Sequence, residues 1–282
     1  MAQRFSRRDV LAGAAALTAT AAHAGLGPRG YELTFPQLLV DGLDPAHEGL
    51  RIAQLSDIHV GMNTPEARVR AAVQEINALA PDLVFLTGDF VTYSRRPLPL
   101  VSTLLEGLHA PTFAVLGNHD HFVDAQSVIG SLNDSGYVVL RNQHTVQRVR
   151  GAPLTLFGVD DGGTGHDDVA LTFKGARKDG TRLVLTHNPV TARKLPQEEG
   201  LVCFSGHTHG GQIVIPPITD ALVHAAGQPY IRGRFEVGGN QLYVNRGLGW
   251  GRMHQFLHHG SEPEVALFTL RSRVEGWPDI GR

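Results

Sequence analysis

The chain has 282 residues, and its 25 Lys and Arg nearly balance its 27 Asp and Glu, giving a formal net charge of −2. This balance, without a basic run, gives no support for nucleic-acid binding. The single cysteine, Cys203, excludes an internal disulfide, and its apolar neighbours predict a buried thiol. The length is sufficient for one large core and does not require two domains.

The N-terminal segment has the three parts of an export signal. The pair Arg7-Arg8 precedes a run of small and apolar residues at 12–22, and Ala22-His23-Ala24 resembles a signal-peptidase site. The run is shorter and less apolar than the roughly 20 residues of a membrane span. We therefore predict a twin-arginine (Tat) signal peptide at residues 1–24, followed by a single domain at residues 25–282.

This signal predicts the Tat export machinery as a partner and the periplasm or cell envelope as the destination. The Tat pathway carries proteins that have already folded. The alternative is a disordered basic tail in front of an Ala-rich helix.

Strand and helix patterns alternate in the first half of the chain. Buried strands are predicted at residues 50–56, 82–87 and 112–116, after an edge strand at 31–40 that Pro36 interrupts. Helices are predicted at residues 65–80, near 98–108 and at 124–135, the last with Asp124 as its N-cap. This order predicts a parallel sheet, and in such sheets the ligand loops gather at the carboxyl ends of the strands.

The second half of the chain is predicted to form mostly strands. They are predicted at residues 138–140, 146–150, 154–159, 183–186, 202–205, 213–215, 241–245 and 265–270. Two short helices are predicted near residues 168–176 and 191–195. Two packed sheets flanked by helices fit this pattern.

Five short blocks of potential metal ligands follow apolar, strand-like runs. They are Asp57-Ile58-His59, Gly88-Asp89, Gly117-Asn118-His119-Asp120, Thr186-His187-Asn188-Pro189 and Gly206-His207-Thr208-His209-Gly210-Gly211. Each block alone is typical of an ordinary turn. Together they supply three oxygen ligands, Asp57, Asp89 and Asn118, and four imidazoles, His59, His187, His207 and His209. This set is too large for one ion and fits two.

Carboxylate, amide and imidazole ligands without thiolate favour Mn²⁺, Zn²⁺, Fe²⁺ or Co²⁺ over Ca²⁺ or a structural zinc site. A shared carboxylate would hold two ions about 3.5–4 Å apart, the separation used for displacement at phosphorus. Such a pair lowers the pKa of a bridging water, neutralises phosphoryl oxygens and orients the attack. His207 and His209 alternate, which on a regular strand would direct both imidazoles to one side. These residues therefore predict metal-dependent phosphoester hydrolysis.

The motif set D-x-H, G-D, G-N-H-[DE], H-x-P and G-H-x-H resembles that of the calcineurin-like metallophosphoesterases, over about residues 31–271. The resemblance implies a four-layer αββα sandwich of two mixed β-sheets flanked by helices. It implies a first ion held by Asp57, His59 and His209, a bridging Asp89, and a second ion held by Asn118, His187 and His207. It also implies that His119 lies outside the metal shell, as transition-state stabiliser or proton donor to the leaving oxygen.

Two further stretches, Gly210-Gly211-Gln212-Ile213 and residues 242–249, are similar to a bacterial branch of exported phosphodiesterases. That similarity implies a small-molecule, lipid or cell-wall phosphodiester as substrate.

The chain departs from protein Ser/Thr phosphatases, which read G-D-x-x-D-R-G where this chain has Gly88-Asp89-Phe90-Val91-Thr92-Tyr93-Ser94. Protein phosphatase activity is therefore disfavoured, and the group that orients His119 stays open, because the adjacent Asp120 is expected to point elsewhere.

The remaining histidines singled out are His121, His166, His254, His258 and His259. Exposed loop positions are expected for them, with a third metal or a phosphate-contacting loop as the alternative. We hypothesise that residues 251–263 form part of the rim of the substrate-binding site.

Two other functions remain as alternatives. The first is a pyrophosphatase for nucleotide lipids that resemble UDP-diacylglucosamine, with peripheral membrane contact through patches such as Phe256-Leu257. The second is a metal-binding scaffold without catalysis.

Overall fold

The computed structural model describes residues 30–61, 64–211, 227–249 and 261–273. In chain order the strands are β1 (Glu32–Thr34), β2 (Gln37–Val40), β3 (Arg51–Leu55), β4 (Leu83–Thr87), β5 (Thr112–Val115), β6 (Val138–Val139), β7 (Gln143–Val149), β8 (Ala152–Gly158), β9 (Thr181–Leu185), β10 (Val202–Ser205), β11 (Gly233–Val237), β12 (Asn240–Val244) and β13 (Glu264–Ser272). Within the described ranges these strands form two mixed sheets, of seven and six strands.

The first sheet has the order β1-β13-β3-β4-β5-β6, with β2 also paired to β13. Its strands β3, β4, β5 and β6 are parallel, and β13 runs antiparallel to β3. The second sheet has the order β11-β12-β10-β9-β8-β7. Its strands β8, β9, β10 and β12 are parallel, and β7 and β11 close its edges in antiparallel pairs.

The helices are α1 (Glu66–Leu79), α2 (Leu98–Leu105), α3 (Asn118–Val123), α4 (Ala125–Asp134) and α5 (Val169–Phe173). Helix α1 begins after Pro65 and ends where Ala80 adopts the left-handed conformation. Asp124 caps α4 as predicted, because its carboxylate accepts the N–H groups of Gln126 and Ser127.

Three apolar layers hold the sheets and helices together. In the fully buried strand β4, Val84 and Leu86 pack under the helices, whereas Leu83 and Phe85 face the second sheet. Between the sheets, Phe204 contacts Phe85 and Phe268 edge to face, at centroid distances of 5.1 and 5.0 Å.

The outer face of the second sheet packs against α5 and the 3₁₀ segment Pro189–Lys194. The order helices, sheet, sheet, helices confirms the predicted αββα sandwich. Cys203 is fully buried, as predicted, and burial raises the pKa of its thiol to about 12.

Three local features differ from the sequence predictions. The helix expected near residues 191–195 is the 3₁₀ segment Pro189–Lys194, which Asn188 caps. Helix α3 was not predicted, because its six residues begin with Asn118-His119-Asp120 of the third ligand block and lack an apolar period. Strand β11 was also missed, since it is an edge strand with little buried surface.

Several predictions fall outside the described residues. These are the signal peptide at residues 1–24, the strand at 213–215, residues 251–260 of the substrate rim, the residues His254, His258 and His259, and the patch Phe256-Leu257. Within the described residues, no helix has the length and apolar character needed to cross a membrane.

We predict that Phe204→Ala lowers the free energy of unfolding by about 3–5 kcal/mol, because it leaves a cavity between the two sheets. The control is Phe35→Ala, which removes a ring that is 61% exposed and is expected to cost less than about 0.5 kcal/mol. Urea unfolding of both variants checks this difference. Equal midpoints for the two variants would contradict the placement of Phe204.

Candidate metal centre

The ligand blocks follow the carboxyl ends of five strands. In the first sheet β3, β4 and β5 are parallel neighbours, and Asp57, Asp89 and Asn118 follow them within three residues. In the second sheet β9 and β10 are parallel neighbours and are followed by His187 and by the block that begins at Gly206. The backbone N–H of His207 donates to Asp57 Oδ2 at 2.9 Å, which joins the ends of the two sheets.

The backbone is left-handed at five of the seven predicted ligands. Their φ angles are 51° at Asp57, 49° at His59, 57° at Asp89, 76° at His207 and 49° at His209. Residues with a side chain rarely adopt this conformation, and each instance costs on the order of 1–3 kcal/mol. Only four other non-glycine residues in the described ranges share it: Ala80, Asn142, Arg150 and Glu198. The strain is therefore concentrated where the chain turns ligand side chains inward.

Two glycines permit close packing around the carboxylates. A Cβ atom at Gly117 would overlap the carboxylate of Asp89, and one at Gly206 would overlap Ser56 Oγ and the carboxylate of Asp57. A side chain at either position would displace a predicted ligand. The glycines in these blocks are therefore required by the geometry of the centre.

The first ligand group consists of Asp57, His59 and His209, all of them buried. The Nε2 atoms of His59 and His209 are 3.2 Å apart, and His209 Nε2 lies 3.4 Å from Asp57 Oδ1. Each residue offers one ligand atom within 4.8 Å of the other two. Two imidazole nitrogens and a carboxylate oxygen in this arrangement are suited to one divalent cation.

The second ligand group consists of Asn118, His187 and His207. Asn118 Oδ1 lies 3.2 Å from His187 Nε2 and 3.0 Å from His207 Nδ1, and the two imidazole nitrogens are 3.2 Å apart. Asp89 Oδ2 lies 3.3 Å from His187 Nε2 and 3.7 Å from His59 Nε2. Asp89 is therefore within reach of both groups, as a bridging carboxylate must be.

The outer ring nitrogens of two histidines have fixed partners. His187 Nδ1 donates to the carbonyl oxygen of Thr87 at 2.7 Å, so the lone pair of the neutral ring is on Nε2, facing Asp89. His59 Nδ1 lies 2.9 Å from the hydroxyl of Thr92, which leaves Nε2 directed toward His209. Such outer contacts are typical of histidines that bind metals.

His207 and His209 do not lie on a regular strand, so their alternation does not direct both imidazoles to one side. Strand β10 ends at Ser205, and His209 begins the 3₁₀ segment His209–Gly211. Because of this turn, the two imidazoles serve different groups: His209 contacts His59, and His207 contacts Asn118 and His187.

The charges of the centre match divalent cations. Burial raises the pKa values of Asp57 and Asp89, but the neighbouring imidazoles outweigh it, and both pKa values lie below the usual range. Burial lowers the pKa values of His59 and His207 to about 4. Burial also opposes the charged form of His187, yet Asp89 holds the pKa of that imidazole well above its usual value. The raised pKa of His187 thus reflects the negative charge of buried carboxylates, which bound cations would compensate.

Asp120 connects two of the ligand loops. Its Oδ2 accepts the backbone N–H groups of Asp89 and Gly117, both at 2.9 Å, and its Oδ1 accepts those of Phe90 and Val91. Burial and the charge of Asp89 raise the pKa of Asp120 to about 7 in spite of these bonds. Asp120 therefore points away from His119, as expected, and holds the two loops at a fixed separation.

His119 is positioned by a backbone group. Its Nδ1 donates to the carbonyl oxygen of Thr92 at 2.9 Å, and its backbone N–H donates to Asp89 Oδ1 at 2.9 Å. Its ring meets that of His59 at right angles, at a centroid distance of 5.1 Å. His119 therefore lies beside the first ligand group with Nε2 available. Protein phosphatases have an Asp at the position of Thr92. In this chain the backbone carbonyl of Thr92 orients His119, and a sequence pattern does not reveal a contact made by a backbone group.

A further acidic pair was missed in the sequence analysis. Asp160 and Asp161 directly follow the apolar run at 154–159, so the rule that found the other blocks could have found them. Asp161 is fully buried, and its carboxylate accepts the backbone N–H and the hydroxyl of Thr164, at 2.7 and 2.8 Å. The side chain of His121 is only 5% exposed and lies 2.7 Å from Asp160, so the expected exposed position for His121 was wrong. His166 is exposed, as expected.

The fold and the centre define a class of protein. An αββα sandwich with Asp, His and Asn side chains gathered at the strand ends is suited to binding metal and hydrolysing phosphoesters. The family model described as calcineurin-like phosphoesterase matches residues 50–211, which include all five ligand blocks. The chain belongs to this family and is a metal-dependent hydrolase of phosphoesters.

Three relatives span most of the chain. It is 31% identical to YkuE of Bacillus subtilis, an uncharacterized metallophosphoesterase, over 96% of this chain and 99% of the relative. It is 30% identical to the phosphodiesterase YaeI of Escherichia coli, over 94% of this chain and 99% of the relative. It is also 30% identical to the UDP-2,3-diacylglucosamine pyrophosphatase LpxG of Chlamydia trachomatis, over 78% of this chain and 83% of the relative.

We predict that Asp120→Asn weakens both metal retention and stability. The amide would present N–H groups to backbone donors, and each backbone N–H left without an acceptor costs about 1–3 kcal/mol. Metal content after dialysis, measured by mass spectrometry, and the midpoint of thermal unfolding check this outcome.

The matched control for this variant is Asp124→Asn. Asp124 also accepts backbone N–H groups, but at a helix N-cap, where Asn serves as well as Asp. We expect Asp124→Asn to retain metal and stability. If Asp120→Asn behaves in the same way, Asp120 does not hold the loops.

Proposed function

We propose that the chain is a phosphodiesterase with two divalent metal ions, Mn²⁺, Zn²⁺ or Fe²⁺, that share Asp89. The observation behind this proposal is the position of Asp89 Oδ2, 3.3 Å from His187 Nε2 and 3.7 Å from His59 Nε2. Asp57, His59 and His209 would hold one ion, and Asn118, His187 and His207 the other. Two such ions would supply a nucleophilic water at neutral pH and neutralise the phosphoryl oxygens.

The protein side chains determine where the leaving oxygen can accept a proton. The buried carboxylates and imidazoles would hold the two ions, and the ions would position the phosphate beside His119. The Thr92 carbonyl holds the His119 Nδ1–H, so a second proton of the imidazolium resides on Nε2. From Nε2 this proton can pass to the oxygen that leaves phosphorus.

The preference for a diester rests on similarity to the phosphodiesterase YaeI. A pyrophosphatase acting on a nucleotide lipid is the second candidate, favoured by similarity to LpxG. The scaffold alternative is disfavoured because all seven predicted ligands and His119 are present.

The proposed location is the periplasm or cell envelope, reached through the Tat machinery. The support is the sequence of residues 1–24, with its Arg7-Arg8 pair and its Ala22-His23-Ala24 site. A cell-envelope location favours lipid or cell-wall phosphodiesters over cytoplasmic nucleotides as substrates, and it allows peripheral membrane contact.

We predict that removing metal abolishes hydrolysis and that Mn²⁺, Zn²⁺ or Fe²⁺ restores it, with bis-p-nitrophenyl phosphate preferred over p-nitrophenyl phosphate. The reason is that the ligand groups alone supply neither the nucleophile nor the charge neutralisation. Spectrophotometric rates and the bound metal content are measured on the same samples. A preference for the monoester would make the chain a phosphomonoesterase, and inactivity with two ions bound would support the scaffold alternative.

We predict that His119→Ala lowers kcat by about 10²–10⁴-fold with unchanged metal content, because it removes general acid catalysis. The loss should be greater for an alkyl diester than for bis-p-nitrophenyl phosphate, since p-nitrophenolate leaves without a proton. Equal losses on both substrates would identify charge stabilisation instead.

The control is His166→Ala, which removes an exposed imidazole outside both ligand groups. It should retain the wild-type rate on both substrates. A matching loss in this variant would show that the effect of His119→Ala is not specific to the site.

A further inference from the structure

Two exposed aromatic rings flank His119. The described ranges contain six large hydrophobic side chains that are exposed, and two of these are Tyr93, at 57%, and Phe122, at 70%. The ring centroids of Tyr93 and Phe122 lie 5.6 and 6.0 Å from that of His119, with interplanar angles of 71° and 81°. Exposed apolar surface beside a candidate catalytic group indicates a binding surface.

The two loops that position His119 also position both rings. Tyr93 directly follows Thr92, whose carbonyl oxygen holds His119 Nδ1. His119 and Phe122 are three residues apart in α3, so their side chains lie on one face of that helix. The rings are therefore attached to the same two loops as the metal ligands Asp89 and Asn118.

His119 contacts both a metal ligand and the two rings. Its ring lies 5.1 Å from that of His59, a ligand in the first group. It also contacts Tyr93 and Phe122. In the proposed reaction the leaving oxygen lies at His119, so the group attached to that oxygen is the part of the substrate that meets the rings.

The local charges favour an uncharged group there. Arg95, two residues after Tyr93, pairs with Asp124, two residues after Phe122, at 2.9 Å. This ion pair links the two loops, and its charges cancel. The carboxylate of Asp124 also accepts the N–H groups at the start of α4.

The ring geometry favours a chain over a planar group. The imidazole of His119 already occupies a contact position on both rings. A planar group on either ring would therefore use only part of the surface. An extended aliphatic chain that starts at the leaving oxygen can lie along both rings, and each methylene placed there is removed from water.

We propose that Tyr93 and Phe122 form a binding surface for an aliphatic leaving group, so that the preferred substrates are phosphodiesters of long-chain alcohols or of lipids that present such a chain beside the leaving oxygen. This inference rests on the proposed phosphodiesterase function and on the role of His119 at the leaving oxygen.

The test uses methyl octyl phosphate, from which the enzyme can release either methanol or octanol. Straight-chain alcohols differ little in acidity, so the ratio of the two products reports contact with the chain. Both alcohols are measured by chromatography with the full-length, metal-loaded protein. We expect octanol to exceed methanol by about tenfold or more, the effect of about two methylenes removed from water.

The variants are Tyr93→Ala and Phe122→Ala, with Phe35→Ala as the matched control for an exposed ring away from the ligand loops. We expect the first two to lower the ratio toward one with unchanged metal content, and Phe122→Leu to restore much of it. Phe35→Ala should keep the wild-type ratio. An unchanged ratio in both ring variants, or no preference in the wild type, would overturn the inference.

Two further experiments test whether the rings prefer an aliphatic or a planar group, and whether they bind it without hydrolysis. Preferential release from methyl benzyl phosphate over methyl octyl phosphate would show a planar guest and overturn the aliphatic assignment. Calorimetric binding of octyl phosphate and methyl phosphate decides the inference without turnover: tighter octyl binding that both ring variants lose supports it, and equal binding overturns it. Absence of hydrolysis with octyl selectivity retained in binding would count against the phosphodiesterase proposal alone.

Discussion

Two buried carboxylates determine the construction of the centre. Asp57 and Asp89 are 0% and 2% exposed, and they lie among four imidazoles where the two sheets end. Negative charge at such positions is costly unless cations or protons compensate it. The left-handed backbone at the ligands, the glycines packed against both carboxylates and the four N–H bonds to Asp120 all hold this charge in place. Metal binding provides the energetic reason for tolerating that strain.

The same arrangement explains how function is divided among the strands. Parallel strands deliver ligands to one edge of each sheet, and the core around Phe204 fixes the two edges relative to one another. His119 is supported by the Thr92 carbonyl and by Asp89, so its position depends on the ligand loops themselves. Substrate selection then falls to side chains on the outer side of His119, among them Tyr93 and Phe122.

Much of this account could be predicted from the sequence. Apolar runs ending in Asp, Asn or His located the ligand loops, and the alternation of strands and helices indicated two packed sheets. The bond from Asp89 N–H to the Asp120 carboxylate and the bond from His119 to the Thr92 carbonyl could not be predicted, because each joins a side chain to a backbone group about 30 residues away in the chain. The 3₁₀ turn that begins at His209 was also not predicted, because the alternation of His207 and His209 does not reveal the backbone conformation that follows β10.

The central claim is that Asp89 is shared by two ions. A crystal structure of the metal-loaded protein, with anomalous diffraction recorded at the absorption edge of the bound metal, tests it most directly. The account predicts two anomalous peaks about 3.5–4 Å apart, with Asp89 between them, His59 and His209 at one and His187 and His207 at the other. A single peak, or two peaks without Asp89 between them, would contradict it.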